Sequence, residues 1–149
     1  MKLRKICKNK LAFTLVELVV VIAIMAILAG AVAGAVVGVR ASANKSEVTD
    51  TGAKLADQLQ LMVANGDISN SMTQDNLKKA LEAQLPGVEY VTKATTAQDG
   101  KKYIQIPTKP AAGWLKASST FIVYTSKYTM NVTLDGTTGA VTKGDATSV

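Results

Sequence analysis

Histidine is absent from this 149-residue chain, and cysteine occurs once, at Cys7. Residues 13–149 therefore cannot close a disulfide, and they lack the means for Cys–His or Ser–His catalysis and for the usual zinc sites. An exported domain without disulfides has to rely on its own core or on packing against copies of itself. Aromatic residues make up only 5% of the chain, which is thin for platforms that stack on single strands or sugars. Proline is also scarce, and none of the three lies before Pro86, so nothing of that kind interrupts an early helix. Acidic residues are missing from the first twelve positions, which hold five of the 17 basic ones: Lys2, Arg4, Lys5, Lys8 and Lys10. The remaining 12 basic residues face 11 acidic ones, so the net charge of +6 belongs almost wholly to this opening segment. A basic leader of this kind is held in the cytoplasm by the positive-inside rule. A nucleic-acid footprint spread over a folded domain is not supported.

The segment after the leader is apolar. From Leu18 to Val39 there are 22 residues without an ionisable side chain, enough to cross a hydrocarbon core of roughly 30 Å as a helix. Glu17 sits at the lip of this run. A carboxylate carried to the bilayer centre costs roughly 2.5–3.5 kcal/mol, so Glu17 calls for a partner. Gly30, Gly34 and Gly38 make two consecutive GxxxG steps, a spacing that lets helix backbones approach closely in lipid. The plainer reading is that glycine and alanine are simply common in membrane helices.

Beyond Arg40 the pattern changes. Val48, Gly52, Leu55, Leu59 and Met62 recur at spacings of four and three, an apolar stripe of helical period, with Lys45, Asp50, Lys54, Asp57 and Gln58 opposite. The expectation is one continuous helix over residues 13–65, apolar all round at first and amphipathic later, stopped by Asn65-Gly66. A short second helix is expected over residues 73–85, closed by Pro86-Gly87. Strands are expected at 88–95 and 102–108, joined as a hairpin through Gln98-Asp99-Gly100, and at 120–125 and 128–134. A turn at 135–139 leads into 140–142 and a polar tail. The fold class is thus α+β: a long N-terminal helix packed on a small antiparallel sheet. The organisation is a leader at 1–12, a membrane helix at 13–40, and a globular region at 41–149 that includes the amphipathic half of the helix.

The junction KNKLA-FTLVELVVVIAIMAIL resembles the prepilin leader of type IV pilins and of the related pseudopilins of type II secretion and competence systems. The resemblance covers about 30 residues. It implies that a membrane peptidase cuts between Ala12 and Phe13 on the cytoplasmic side and methylates the new amine of Phe13. The family usually has glycine before the cut, and Ala12 stands there in this chain. The resemblance also matches Glu17 to a glutamate five residues into the mature chain. There, Glu17 of an incoming subunit can meet the Phe13 ammonium of its neighbour, a pairing that selects axial register more than it adds net stability. Thr14 can donate a hydrogen bond nearby. The implied partners are other copies in a filament, the peptidase, an assembly ATPase, a platform protein and the membrane. No cofactor and no chemistry of the subunit's own are implied. The implied path runs from a single-pass cytoplasmic-membrane protein to an extracellular filament. Pilins of the family often carry a proline near Gly34 and a C-terminal disulfide; this chain has neither, and the missing disulfide points to a Gram-positive or divergent host or to a pseudopilin.

Other readings stand beside this one. A signal anchor holding an extracellular binding domain would explain the apolar run but not Glu17. A DNA-uptake receptor would use Lys101, Lys102, Lys109 and Lys116 as a patch, against the plainer reading of a solvated face. Asp99-Gly100, Asp135-Gly136 and Gly144-Asp145 read as turns rather than calcium loops. Asn44 and Asn131 begin sequons, which recur by chance. Trp114 reads as a core plug rather than a ligand platform.

Overall fold

A computed structural model describes residues 13–93, 101–125 and 127–149, with no account of the side chains at 33–35 and 37. The chain divides between Val39 and Arg40 into two units. Helix α1 spans Leu15–Ala64 and α2 spans Gln74–Gln84. The strands are β1 (Glu89–Val91), β2 (Tyr103–Gln105), β3 (Ser119–Tyr124), β4 (Tyr128–Leu134), β5 (Val141–Lys143) and β6 (Thr147–Ser148).

Helix α1 ends as Asn65-Gly66 predicts. Gly66 takes a φ of +78°, which a side chain would resist. Its N–H donates to the Val63 carbonyl at 3.1 Å, while the Asp67 N–H reaches back to the Met62 carbonyl at 2.8 Å. These two bonds form a Schellman motif and satisfy carbonyls that the helix end would otherwise orphan. Thr73 caps α2 by accepting the Asn76 N–H at 3.2 Å, so the helix starts one residue later than its pattern suggests.

The sheet runs β1-β2-β3-β4-β5, with β6 also on β4. Strands β3 and β4 pair antiparallel in a register that sets Phe121 opposite Val132 and Val123 opposite Met130. All four are buried and share a core with Val48, Leu55, Ala56, Leu59 and Met62 of α1 and with Leu77 and Leu81 of α2. Each large apolar side chain removed from water here contributes about 1.5–3 kcal/mol. The stripe read from the sequence is therefore the face that α1 buries, and the fold is α+β and pilin-like.

The expected hairpin over 88–108 is wrong in direction. Strands β1 and β2 pair parallel, with Tyr90 beside Ile104, and the expected turn at 98–100 lies outside the described residues. Antiparallel pairing with β3 sets the direction of β2, and β1 is held separately, through Tyr90. Its buried hydroxyl donates toward the Leu81 and Leu85 carbonyls, each at 3.2 Å, tying β1 to the end of α2. Apolar alternation reports which face is buried but not which way a strand runs. The expected polar tail also contains a strand, β6. It is held by the edge of β4, where Thr129 and Thr147 share a hydroxyl hydrogen bond of 3.2 Å.

Candidate functional site

The first unit exposes what soluble proteins bury. Residues Leu15–Val32 form the one helical stretch among the described residues that is long and apolar enough to cross a membrane, and none of it is buried. Leu15 and Ile27 are 79% and 72% exposed, so the surface is apolar round the whole helix. Such a surface needs lipid or other helices against it.

At the start of this helix the chain forms a reciprocal pair. The Thr14 N–H and the Thr14 hydroxyl both donate to Glu17 Oε2, each at 2.9 Å. The Glu17 N–H donates in return to Thr14 Oγ1 at 3.2 Å. Thr14-Leu15-Val16-Glu17 is therefore a capping box, in which two orphan amides at the helix end are met by the two side chains. T-x-x-E before an apolar run is the sequence signature of such a box, and treating Thr14 only as a donor near Glu17 overlooks it. Phe13, beside the pair, lies outside the helix and is exposed. Ala12 lies outside the described residues.

The glycines fall on the same helix. A Cβ built at Gly30 or at Gly38 would meet nothing within 4 Å, so within one chain these positions have no packing role. The side chain position at Gly34 is not among those described.

The second unit accounts for most of the weaker sequence signals. Trp114 is fully buried, donates from Nε1 to the Met72 carbonyl at 2.9 Å and stacks on Phe121. It is a core plug. Asn70 Oδ1 accepts the Leu115 N–H at 2.8 Å beside it. A Cβ at Gly136 would strike the Ala117 and Trp114 carbonyls, so that turn is pressed against the same loop. Asp135 accepts the Thr137 N–H at 2.8 Å and the Thr138 N–H at 3.4 Å. Donation from Thr137 foremost, then from Thr138, holds its carboxyl below the usual carboxylate range. This is an Asx turn, as expected. Two of the four patch lysines are engaged with carboxylates: Lys102 with Glu47 at 2.5 Å and Lys101 with Glu89 at 3.9 Å. Among the described residues no three His, Cys, Asp or Glu side chains gather as metal ligands would.

An exposed apolar helix with a polar box at its head, leading into a small α+β domain, is the plan of a membrane-anchored subunit. Residues 7–33 match the family model described as the prokaryotic N-terminal methylation motif. The chain therefore carries a prepilin motif of the type IV pilin and pseudopilin type, with the processing by prepilin peptidase and the filament assembly that such a motif implies. No curated protein and no solved structure matches the chain.

Proposed function

We propose that the chain is a structural subunit of a type IV pilus or related filament. The observation that carries this reading is the methylation-motif match over residues 7–33, which lies across the junction of basic leader and exposed apolar helix. The leader, residues 1–12, is removed between Ala12 and Phe13, and Phe13 becomes the N-methylated terminus. The subunit waits in the membrane as a single-pass protein. It is then drawn into a filament by an assembly ATPase and a platform protein.

In the filament the apolar helices of many copies replace lipid as one another's environment. Dispersion and area burial then add along the fibre. Glu17 meets the Phe13 ammonium of a neighbouring copy and sets the stagger, because an uncompensated charge in such a bundle is heavily penalised. Gly30, Gly34 and Gly38 offer close approach to neighbouring helices. The sheet and its loops form the outer surface.

The test is the mass of the mature N-terminus in cells that contain a prepilin peptidase. A terminus at N-methyl-Phe13, with filaments visible by electron microscopy, is the expected result. An intact leader, or a cut beyond the apolar run, would overturn the reading in favour of an anchored domain. A pseudopilin role in secretion or competence shares the same processing. It is favoured over a pilus if the filaments stay short and inside the cell envelope. For the DNA-uptake alternative, the pairing of Lys101 and Lys102 with carboxylates reduces the charge left for phosphates.

A further inference from the structure

Asparagine is a chemically labile residue, and Asn65 is the one asparagine in the chain that glycine follows. Glycine has no side chain to hinder its own nitrogen, which can attack the side-chain amide before it. In that reaction the Gly66 nitrogen bonds to Asn65 Cγ and gives up its proton, while the side-chain nitrogen leaves as ammonia. Water then opens the resulting succinimide at either carbonyl. The product is aspartate or its isoaspartyl isomer, whose main chain is longer by one carbon. Neither an oxidant nor an enzyme is needed. Asn65 and Gly66 are both exposed, and beyond the chain neighbours no atom lies within 4 Å of where a Gly66 Cβ would sit, so water has free access.

The cap at the end of α1 opposes the attack. The Gly66 N–H, whose proton the attack must displace, donates to the Val63 carbonyl at 3.1 Å. The Asn65 N–H donates to the Leu61 carbonyl at 2.8 Å, and the Asp67 N–H to the Met62 carbonyl at 2.8 Å. The peptide between Asn65 and Gly66 is thus fixed on both sides. Ring closure requires that peptide to swing toward the Asn65 side chain, which breaks the bonds from Gly66 and Asp67. The other described asparagines are worse placed. Asn44 and Asn76 lie within helices and Asn131 within β4, while Asn70 Oδ1 is engaged by the Leu115 N–H.

We propose that Asn65-Gly66 is a site of spontaneous deamidation governed by the helix cap: closed while the Schellman bonds hold, and reactive whenever the end of α1 frays. The product works against the cap that restrained it. A carboxylate at position 65 stands at the negative end of the helix dipole, beside Asp67, and the last turn of α1 has no basic residue to offset it. An isoaspartyl link shifts the backbone out of the geometry that the two capping bonds require. Conversion therefore leaves the end of α1 looser than before, and the converted fraction records how often that end has opened. The site does not depend on leader removal or assembly, so its test bears on it alone.

The experiment incubates the full chain in mild detergent at weakly alkaline pH, with and without urea. Each asparagine is followed by peptide mass mapping, since exchange of NH2 for OH raises the mass. Asn65 should convert ahead of every other asparagine, and about tenfold or more faster in urea than when folded, the factor that two lost hydrogen bonds supply. Asp67→Pro removes the Asp67 N–H and disfavours the backbone before it, so its folded rate should approach the rate in urea. Asn65→Gln should show no mass gain at position 65, because its longer side chain closes a ring far more slowly. Asn65→Asp, which mimics the product, should speed hydrogen exchange at the Gly66 amide about two- to fivefold. Equal rates with and without urea would overturn the proposal, as would Asp67→Pro converting no faster than the original chain. Unchanged exchange in Asn65→Asp would remove the feedback of product on cap. Conversion led by Asn70 or Asn131 in urea would remove the site altogether.

Discussion

Gly52 of α1 lies directly under the thioether of Met130 on β4. A Cβ at position 52 would collide with the Met130 sulfur and press on its Cε and Cγ at 3.2 and 3.4 Å. Met130 is itself buried. Three atoms of one side chain are involved, so turning its terminal methyl alone does not clear the space. Gly52 is therefore a packing glycine in mid-helix, where alanine would otherwise be preferred.

Gly52→Ala is accordingly expected to destabilise the second unit, measured by urea unfolding of the full chain in mild detergent. Overpacking costs about 1–3 kcal/mol and the gain in helix propensity returns about 1 kcal/mol, so the net loss should be about 1 kcal/mol. In a Met130→Ala background the sign should reverse, because propensity then acts unopposed. A loss that persists without Met130 would show that the two residues are not coupled.

Tyr90 gives a prediction with a pH dependence. Burial foremost, with the negative charge of Glu82 adding to it, pushes its hydroxyl up to about 12. Because the folded value lies above the ordinary 10, the neutral form is favoured by folding. The associated stability is fully present below pH about 10 and is lost as pH rises from there toward 12. Tyr90→Phe should remove that slope. It should also cost about 1–2 kcal/mol at neutral pH, since the Leu85 carbonyl loses its tyrosine donor. Unfolding midpoints at pH 7, 10 and 11 check both parts.

Asn70 holds the loop that carries Trp114. Its Oδ1 is the acceptor for the Leu115 N–H, and the Trp114 indole reaches Met72 from the same loop. Asn70→Ala should leave that amide without its acceptor and cost about 1–3 kcal/mol. Hydrogen exchange at Leu115 should accelerate more than exchange in β3 and β4. Uniform acceleration everywhere would mean that Asn70 matters only to global stability.

These relationships differ in how far the sequence reveals them. The apolar run, the stripe from Val48 to Met62 and the stop at Asn65-Gly66 are legible because each depends on local periodicity or on local backbone chemistry. The direction of β1 against β2 is not. It follows from contacts that no spacing announces: β2 runs antiparallel to β3, while Tyr90 ties β1 to the end of α2. Strand β6 is hidden for a related reason: Thr147 and Ser148 are polar and exposed, and only the open edge of β4 makes them a strand. The capping box is readable in principle, since Thr14 and Glu17 stand at the required spacing. The charge of Glu17 draws attention away from its hydrogen bonding.

That double character can be tested, because charge and capping are separable. Glutamine at position 17 still closes a capping box with Thr14, but it cannot pair with an ammonium. If the stagger between subunits depends on the pair between Glu17 and a neighbour's Phe13 amine, Glu17→Gln should leave the processed subunit in the membrane and abolish filaments. Thr14→Ala should do the reverse, keeping the charge and assembling once cleaved. Sheared-filament yield and the mass of the membrane-held subunit, taken from the same cells, read the two effects apart. Filaments of ordinary yield from Glu17→Gln would show that apolar packing of the helices fixes the stagger unaided. The carboxylate would then serve only to start the helix, a task its uncharged amide performs equally well.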